Sequence, residues 1–143
     1  MSPQLKKDLR NYSIFLLVVA GGIYMAFRQE KNLISNKQET TGTIYEIVTY
    51  RNNGGRVFIK FTYSPGGKQY RGQTSISSNN AHKDRDFLST ILIGQNFPVI
   101  YDSLHPDNCA ILLAKKDYEK FKVERPNSLN HFYKLIDSIQ NLE

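Results

Sequence analysis

One apolar segment restricts the architecture of this chain more than any other feature. Residues 11–27 contain no charged side chain and are bracketed by Arg10 and Arg28. As a helix rising about 1.5 Å per residue, the segment spans roughly 25 Å, close to the thickness of the hydrocarbon core of a bilayer. It lacks the polar stripe that a helix of a soluble domain shows. The sequence therefore predicts a transmembrane anchor over residues 11–27, preceded by a basic tail over residues 1–10.

A cleavable signal peptide is the alternative interpretation of this segment. The basic tail resembles an n-region, and the small residues Ala20, Gly21 and Gly22 lie where a signal peptidase could cut. Apolar residues continue from Ile23 to Phe27, which favours an uncleaved anchor. Whether residues 1–22 are removed stays open at this point.

The basic residues near the anchor divide almost evenly between its two ends, with Lys6, Lys7 and Arg10 before it and Arg28, Lys31 and Lys37 after it. A short basic N-terminal tail is the end more easily retained in the cytosol. We therefore expect a single-pass protein of the cytoplasmic (inner) membrane. Its C-terminal domain is expected to be extracytoplasmic.

The residues behind the anchor have the composition of one small β-rich domain. The chain has 143 residues, with nine Tyr, eight Phe and no Trp, and aromatic side chains are favoured on the half-buried surface of a sheet. A polar stretch over residues 28–39 is interpreted as a tether. The sequence then predicts a β domain over residues 40–114 and a helical C-terminal extension over residues 115–143.

Period-two alternation and turn residues divide the β domain into short strands. Asn52-Asn53-Gly54-Gly55 and Pro65-Gly66-Gly67-Lys68 have the residues that tight hairpins require. The predicted strands cover residues 40–50, 56–63, 69–77, 97–101 and 109–113, with a loop over residues 78–85 and a short helix over residues 86–93. The first three strands should form an antiparallel meander. The predicted fold is α+β: an antiparallel five-stranded curved sheet or small barrel with a C-terminal amphipathic helix.

The final helix has a continuous apolar stripe, which includes Leu129, Phe132, Tyr133 and Ile136. Such a stripe normally packs on the sheet of its own domain. Because the helix is terminal, it could instead dock on a protein partner, and these four residues are the candidate partner-binding site.

The order of several motifs resembles the bacterial domain-of-unknown-function family numbered 3592, over about residues 40–113. The pieces that carry the resemblance are Thr41-Gly42-Thr43-Ile44, Phe61-Thr62-Tyr63, Gly67-Lys68-Gln69-Tyr70, and the stretch from Ile93 to Asp102 followed by His105-Pro106. The resemblance implies a membrane-anchored small β domain. It implies no established activity, so no functional residue is carried over from it.

The sequence shows no arrangement typical of a catalytic or metal site. His82, His105 and His131 are far apart, and the chain has no H-x-x-x-H or C-x-x-C motif. The single cysteine, Cys109, opens a strand and is more typical of a small buried side chain than of a nucleophile paired with His105. We expect no catalytic residue, no cofactor and no bound metal, and therefore no enzyme.

Positive charge is dispersed in this chain, whose formal net charge is +6. A nucleic-acid-binding protein usually concentrates such charge on one face, so we expect no nucleic-acid partner. Basic and aromatic residues do alternate on the predicted meander, and Arg56, Lys60 and Arg71 form a candidate surface for lipid or glycan.

These observations favour a non-catalytic, membrane-anchored protein-interaction or scaffolding module of the bacterial envelope, binding a protein partner or assembling as a homo-oligomer. One alternative is an immunity protein that neutralises an envelope-acting toxin. Others are a lipid or glycan sensor, and an enzyme or ligand carrier whose site would involve Asp102, His105 and Cys109.

Overall fold

A computed structural model of the chain describes residues 3–51 and 54–140, with side chains described from residue 11 onward. The helices are α1 (Pro3–Ser35), α2 (Ala81–Leu92), α3 (Lys115–Phe121) and α4 (Asn130–Gln140). The strands are β1 (Lys37–Thr49), β2 (Arg56–Tyr63), β3 (Tyr70–Ser77), β4 (Asn96–Asp102) and β5 (Cys109–Ile111), and short 3₁₀ turns cover Pro65–Gly67 and Asn127–Leu129.

The five strands form one antiparallel sheet in the order β3-β2-β1-β4-β5. Strand β1 is long enough to pair with β4 through its first half and with β2 through its second half. The outer strands β3 and β5 approach each other, and a Cβ atom placed on Gly72 would lie 2.9 Å from Cys109 Sγ. The sheet is therefore nearly closed, which confirms the predicted five-stranded α+β fold.

The alternation predicted for β2 is also confirmed. Val57, Ile59, Phe61 and Tyr63 are buried, whereas the side chains between them lie on the outer face. Strand β1 departs from strict alternation because a β-bulge follows Ile44. The extra residue of a bulge rotates the chain that follows it, so that buried residues here are three positions apart.

Helix α1 continues well beyond the predicted anchor. The stretch interpreted as a tether, residues 28–39, is helical to Ser35 and enters β1 at Lys37. Leu33 lies on this stretch and is buried in the core of the β domain. A polar composition is also typical of a solvated helix, and one docked leucine does not produce a recognisable pattern. The polar stretch therefore consists of the last residues of α1, Asn36 and the start of β1.

Helix α2 begins at Ala81, inside the stretch predicted as a loop. The Asn80 side chain caps it by accepting a hydrogen bond from the Lys83 main-chain N–H at 3.3 Å. Leu88 and Leu92 are buried in the core, whereas Phe87 is half exposed. The polar first turn of α2 explains why the sequence predicted too late a start for this helix.

The C-terminal segment belongs to the same hydrophobic core as the sheet. Phe132, Tyr133 and Ile136 of α4 are buried there, and the rings of Phe132 and Tyr133 make edge contacts with Phe97 of β4. Of the two arrangements considered for this stripe, the structure has the one in which it packs on its own domain. Leu129 is partly buried at the edge of the core.

Candidate functional site

A cleft lies between helix α1 and the turn joining β4 to β5. Its volume is about 570 Å³, within the range of small-molecule pockets. One wall is helix α1, which contributes Met25, Arg28, Gln29 and Asn32. The other wall is the β4–β5 turn and its flanking residues, which contribute Asp102, His105, Asp107, Asn108 and Cys109.

Asp102 organises the turn that forms the second wall. Its Oδ1 accepts a hydrogen bond from the Leu104 main-chain N–H at 2.9 Å, as in an Asx turn. The main-chain N–H of His105 donates to the carbonyl of Asp102 at 3.1 Å, and the N–H of Asn108 donates to the carbonyl of His105 at 2.9 Å. These three hydrogen bonds lie within the turn itself and hold its conformation.

Two hydrogen bonds connect the turn to Gln29 of helix α1 and to Asn36, which follows the helix. The Ser103 main-chain N–H donates to the carbonyl of Asn36 at 3.0 Å, and Asn108 Nδ2 donates to the carbonyl of Gln29 at 2.8 Å. Asn36 and Gln29 are roughly 10 Å apart along a helix. The turn therefore runs beside α1 towards its apolar segment, and Leu104 in this turn is 69% exposed.

The Asp102 carboxylate is completely buried. Burial alone would raise the pKa of this group, but hydrogen bonds from the main-chain N–H of Leu104 and from His105 outweigh it and lower the pKa below its ordinary value. Asp102 Oδ2 has no hydrogen-bond donor within the described residues, and His105 Nδ1 lies 3.4 Å from it. The turn thus holds an ionised carboxylate with one oxygen left without a donor.

Cys109 lies at the inner end of the cleft, beside the hydroxyl of Tyr63. Burial raises the pKa of the Cys109 thiol, and the negative charge of Asp107 raises it further. A reactive cysteine needs the opposite shift, because the thiolate is the nucleophile. The Tyr63 hydroxyl already has an acceptor, because it donates a hydrogen bond to the carbonyl of Pro106. The geometry therefore gives no support to a Cys109–His105 nucleophile pair.

No cluster of three or more histidine, cysteine or carboxylate side chains that could hold a metal ion occurs within residues 11–51 and 54–140. Asp102, His105 and Cys109, which the sequence grouped as a possible site, do line one cleft. The sequence missed the other wall, Arg28 and Gln29, because no local signal pairs a helix with a turn about 75 residues away.

The two surfaces singled out in the sequence lie away from this cleft. Arg56 and Arg71 are exposed on the outer face of the sheet, and Lys60 between them is paired with Glu46 at 2.7 Å. The Tyr50 and Phe58 rings make an edge contact on the same face, with centroids 5.2 Å apart. Phe132, Tyr133 and Ile136 are in the core, so a partner could reach them only if α4 left it.

Comparison with known proteins gives no relative: no family model, no curated protein and no solved structure matches this chain. The resemblance to the family of unknown function therefore stays a prediction.

Proposed function

We propose that this chain is a non-catalytic, membrane-anchored interaction module of the bacterial envelope, which holds its β domain directly at the membrane surface. The observation that carries the proposal is the continuity of α1. One unbroken helix includes both an apolar stretch fit to cross a bilayer and a residue of the domain core, Leu33.

The apolar part of α1 has no partner within the described protein. The 18-residue apolar window within Asn11–Ser35 has no buried residue, and Phe15, Leu17 and Phe27 on α1 are 64%, 72% and 70% exposed. A contiguous apolar surface of this size on a soluble monomer would be a liability for aggregation. A bilayer is the environment that covers such a helix on all sides.

Four polar contacts surround the junction between α1 and the domain. Two involve α1 itself: the hydrogen bond from Asn108 to the carbonyl of Gln29, and the pair between Lys120 Nζ and Glu30 Oε1 at 2.8 Å. The other two lie just after the helix, where the Ser103 N–H donates to the carbonyl of Asn36 and Lys37 Nζ donates to the carbonyl of Phe121 at 2.7 Å. These contacts supplement the burial of Leu33. They favour a domain whose position is set by the anchor.

The absence of catalysis is part of the proposal, and the states of two groups in the cleft support it. Its one thiol has a raised pKa, and its buried carboxylate is ionised and engaged in shaping a turn. A general acid or base is expected to have a pKa near the working pH. Neither group meets that requirement.

The outer face of the sheet is the surface we assign to a protein partner. It has an aromatic pair, Tyr50 and Phe58, beside the Lys60–Glu46 ion pair, and aromatic residues are enriched at the centres of protein interfaces. We place this face on the extracytoplasmic side, following the basic N-terminal tail.

The test is crosslinking in intact cells that express the tagged full-length chain, followed by solubilisation of membranes and identification of what copurifies. We expect one stoichiometric partner, or a self-crosslink, that Tyr50→Ala and Phe58→Ala abolish. Phe87→Ala is the matched control, because Phe87 is an exposed aromatic on α2. A chain that yields no crosslink, or one that all three variants lose equally, would contradict the proposal.

A further inference from the structure

We propose that the cleft between α1 and the β4–β5 turn binds the headgroup of an amine-bearing phospholipid, with Arg28 at the phosphate and Asp102 and Asp107 at the primary ammonium. This inference rests on the membrane anchorage proposed above. It adds a ligand site to a protein that otherwise interacts through its sheet.

The position of the cleft is the first argument. Met25 belongs to the apolar stretch, and Arg28 follows immediately after Phe27, where that stretch ends. Side chains at this point lie at the level of the lipid headgroups when the helix crosses a bilayer. The opposite wall descends towards the same level and has the exposed Leu104 beside the cleft.

The distribution of charge is the second argument. Arg28 makes no ion pair with any residue in the described part of the chain, although it faces two carboxylates across the cleft. A guanidinium suits a phosphate group because it offers a planar fork of donors. The carboxylates of Asp102 and Asp107 suit a cation. A cleft with both charges matches a zwitterionic headgroup better than an anionic one.

The Asp102 carboxylate is the third argument, and it selects a primary amine. Its Oδ2 is buried without a hydrogen-bond donor, and such an oxygen is costly unless something donates to it. A primary ammonium has three N–H groups to donate, whereas a trimethylated ammonium has none. The nearby His105 ring has its Nδ1 3.4 Å from this oxygen and is 71% exposed, and the proposed ligand would displace that ring to reach the oxygen.

The test uses the full-length chain in vesicles that contain equal amounts of phosphatidylethanolamine and phosphatidylcholine. The protein is extracted mildly, and the lipids that remain bound are counted by native mass spectrometry. We expect phosphatidylethanolamine to be retained about tenfold over phosphatidylcholine, the ratio that one charge-assisted hydrogen bond supports.

Three variants test the assignment of groups. Asp102→Asn and Asp107→Asn should each bring the retention ratio close to one, whereas Arg28→Gln should lower the retention of both lipids, because both have the phosphate. Asp107→Asn is informative even if Asp102→Asn disturbs the turn, because Asp107 is exposed at its rim. The matched controls are Lys31→Gln on α1 and Asp86→Asn on α2, which lie outside the cleft and should keep the wild-type ratio.

Each other outcome overturns a distinct part of the inference. Equal retention of the two lipids by the wild type, or a wild-type ratio in the Asp107→Asn variant, removes the headgroup site while leaving the anchor intact. Displacement of the bound lipid by soluble glycerophosphoethanolamine would assign the cleft to a free phosphoamine instead of a lipid. Failure of the chain to enter vesicles would remove the anchorage and the headgroup site together.

Discussion

Replacing Leu33 by alanine should weaken the union between the anchor helix and the β domain more than any other single truncation on the domain-facing part of α1. Leu33 is only 6% exposed and lies in the core cluster. Truncation of a buried leucine costs about 2–5 kcal/mol, depending on how well the site collapses. Because Leu33 lies where the helix enters the domain, we expect the lower part of this range, about 2–3 kcal/mol.

The polar contacts of the same junction should matter less. Lys120 and Glu30 are 47% and 48% exposed, and an ion pair in such a position contributes at most about 1 kcal/mol. The hydrogen bond from Asn108 to Gln29 is also exposed and contributes about 1 kcal/mol. The burial of one apolar side chain therefore exceeds each polar contact at the junction.

The measurement is urea unfolding of the full-length chain in lipid nanodiscs, followed by the near-ultraviolet circular dichroism of its tyrosines. Ile34→Ala is the matched control, because it removes a similar side chain from the next position, which is exposed. We expect the control to change the free energy of unfolding by less than about 0.5 kcal/mol. If Leu33→Ala costs no more than Ile34→Ala or Lys120→Ala, helix α1 is not docked as described and the reasoning fails.

Three further predictions concern the domain itself, and each is measured by the same unfolding assay. Gly72→Ala should lose about 1–3 kcal/mol of stability, because its Cβ would clash with the ring of Phe61. Tyr118→Phe should cost more than Tyr133→Phe, because the Tyr118 hydroxyl donates to a buried main-chain carbonyl as well as pairing with Tyr133; equal costs would refute this asymmetry. The lowered pKa of Asp102 means that its ionised form stabilises the fold above the ordinary pKa, and this stability is lost as pH falls through the folded-state pKa. Below about pH 4 the wild type should therefore lose more stability than Asp102→Asn, and parallel pH profiles would contradict the role given to this carboxylate.

The sheet was predictable because its signals are local. The bounds of β2 agree with the prediction at both ends, since glycine-rich turns flank a strand with strict alternation. The bulge in β1 was not predictable in the same way. It depends on which residues of β1 pair with β2, and a single strand does not contain that information.

The junction and the cleft were not predictable, for a different physical reason. Residues 28–35 are mostly polar, and nothing in their composition distinguishes a solvated helix from a tether. The contact of Leu33 with the core distinguishes the two, and this contact forms only when the sheet is folded. The cleft likewise brings Arg28 beside Asp102 through tertiary packing, although the turn around Asp102 was recognisable by itself.

Under the membrane anchorage proposed above, the unbroken course of α1 sets the height of the domain above the bilayer. A flexible segment of about twelve residues would let a domain wander over roughly 19 Å. A continuous helix removes that reach, so a partner must present its binding surface at one fixed distance from the lipid. The continuous helix also couples the direction in which the sheet faces to the rotation of the helix about its own axis. Encounters are thereby restricted to two dimensions, and part of the orientational entropy that binding normally costs is already lost before the partners meet.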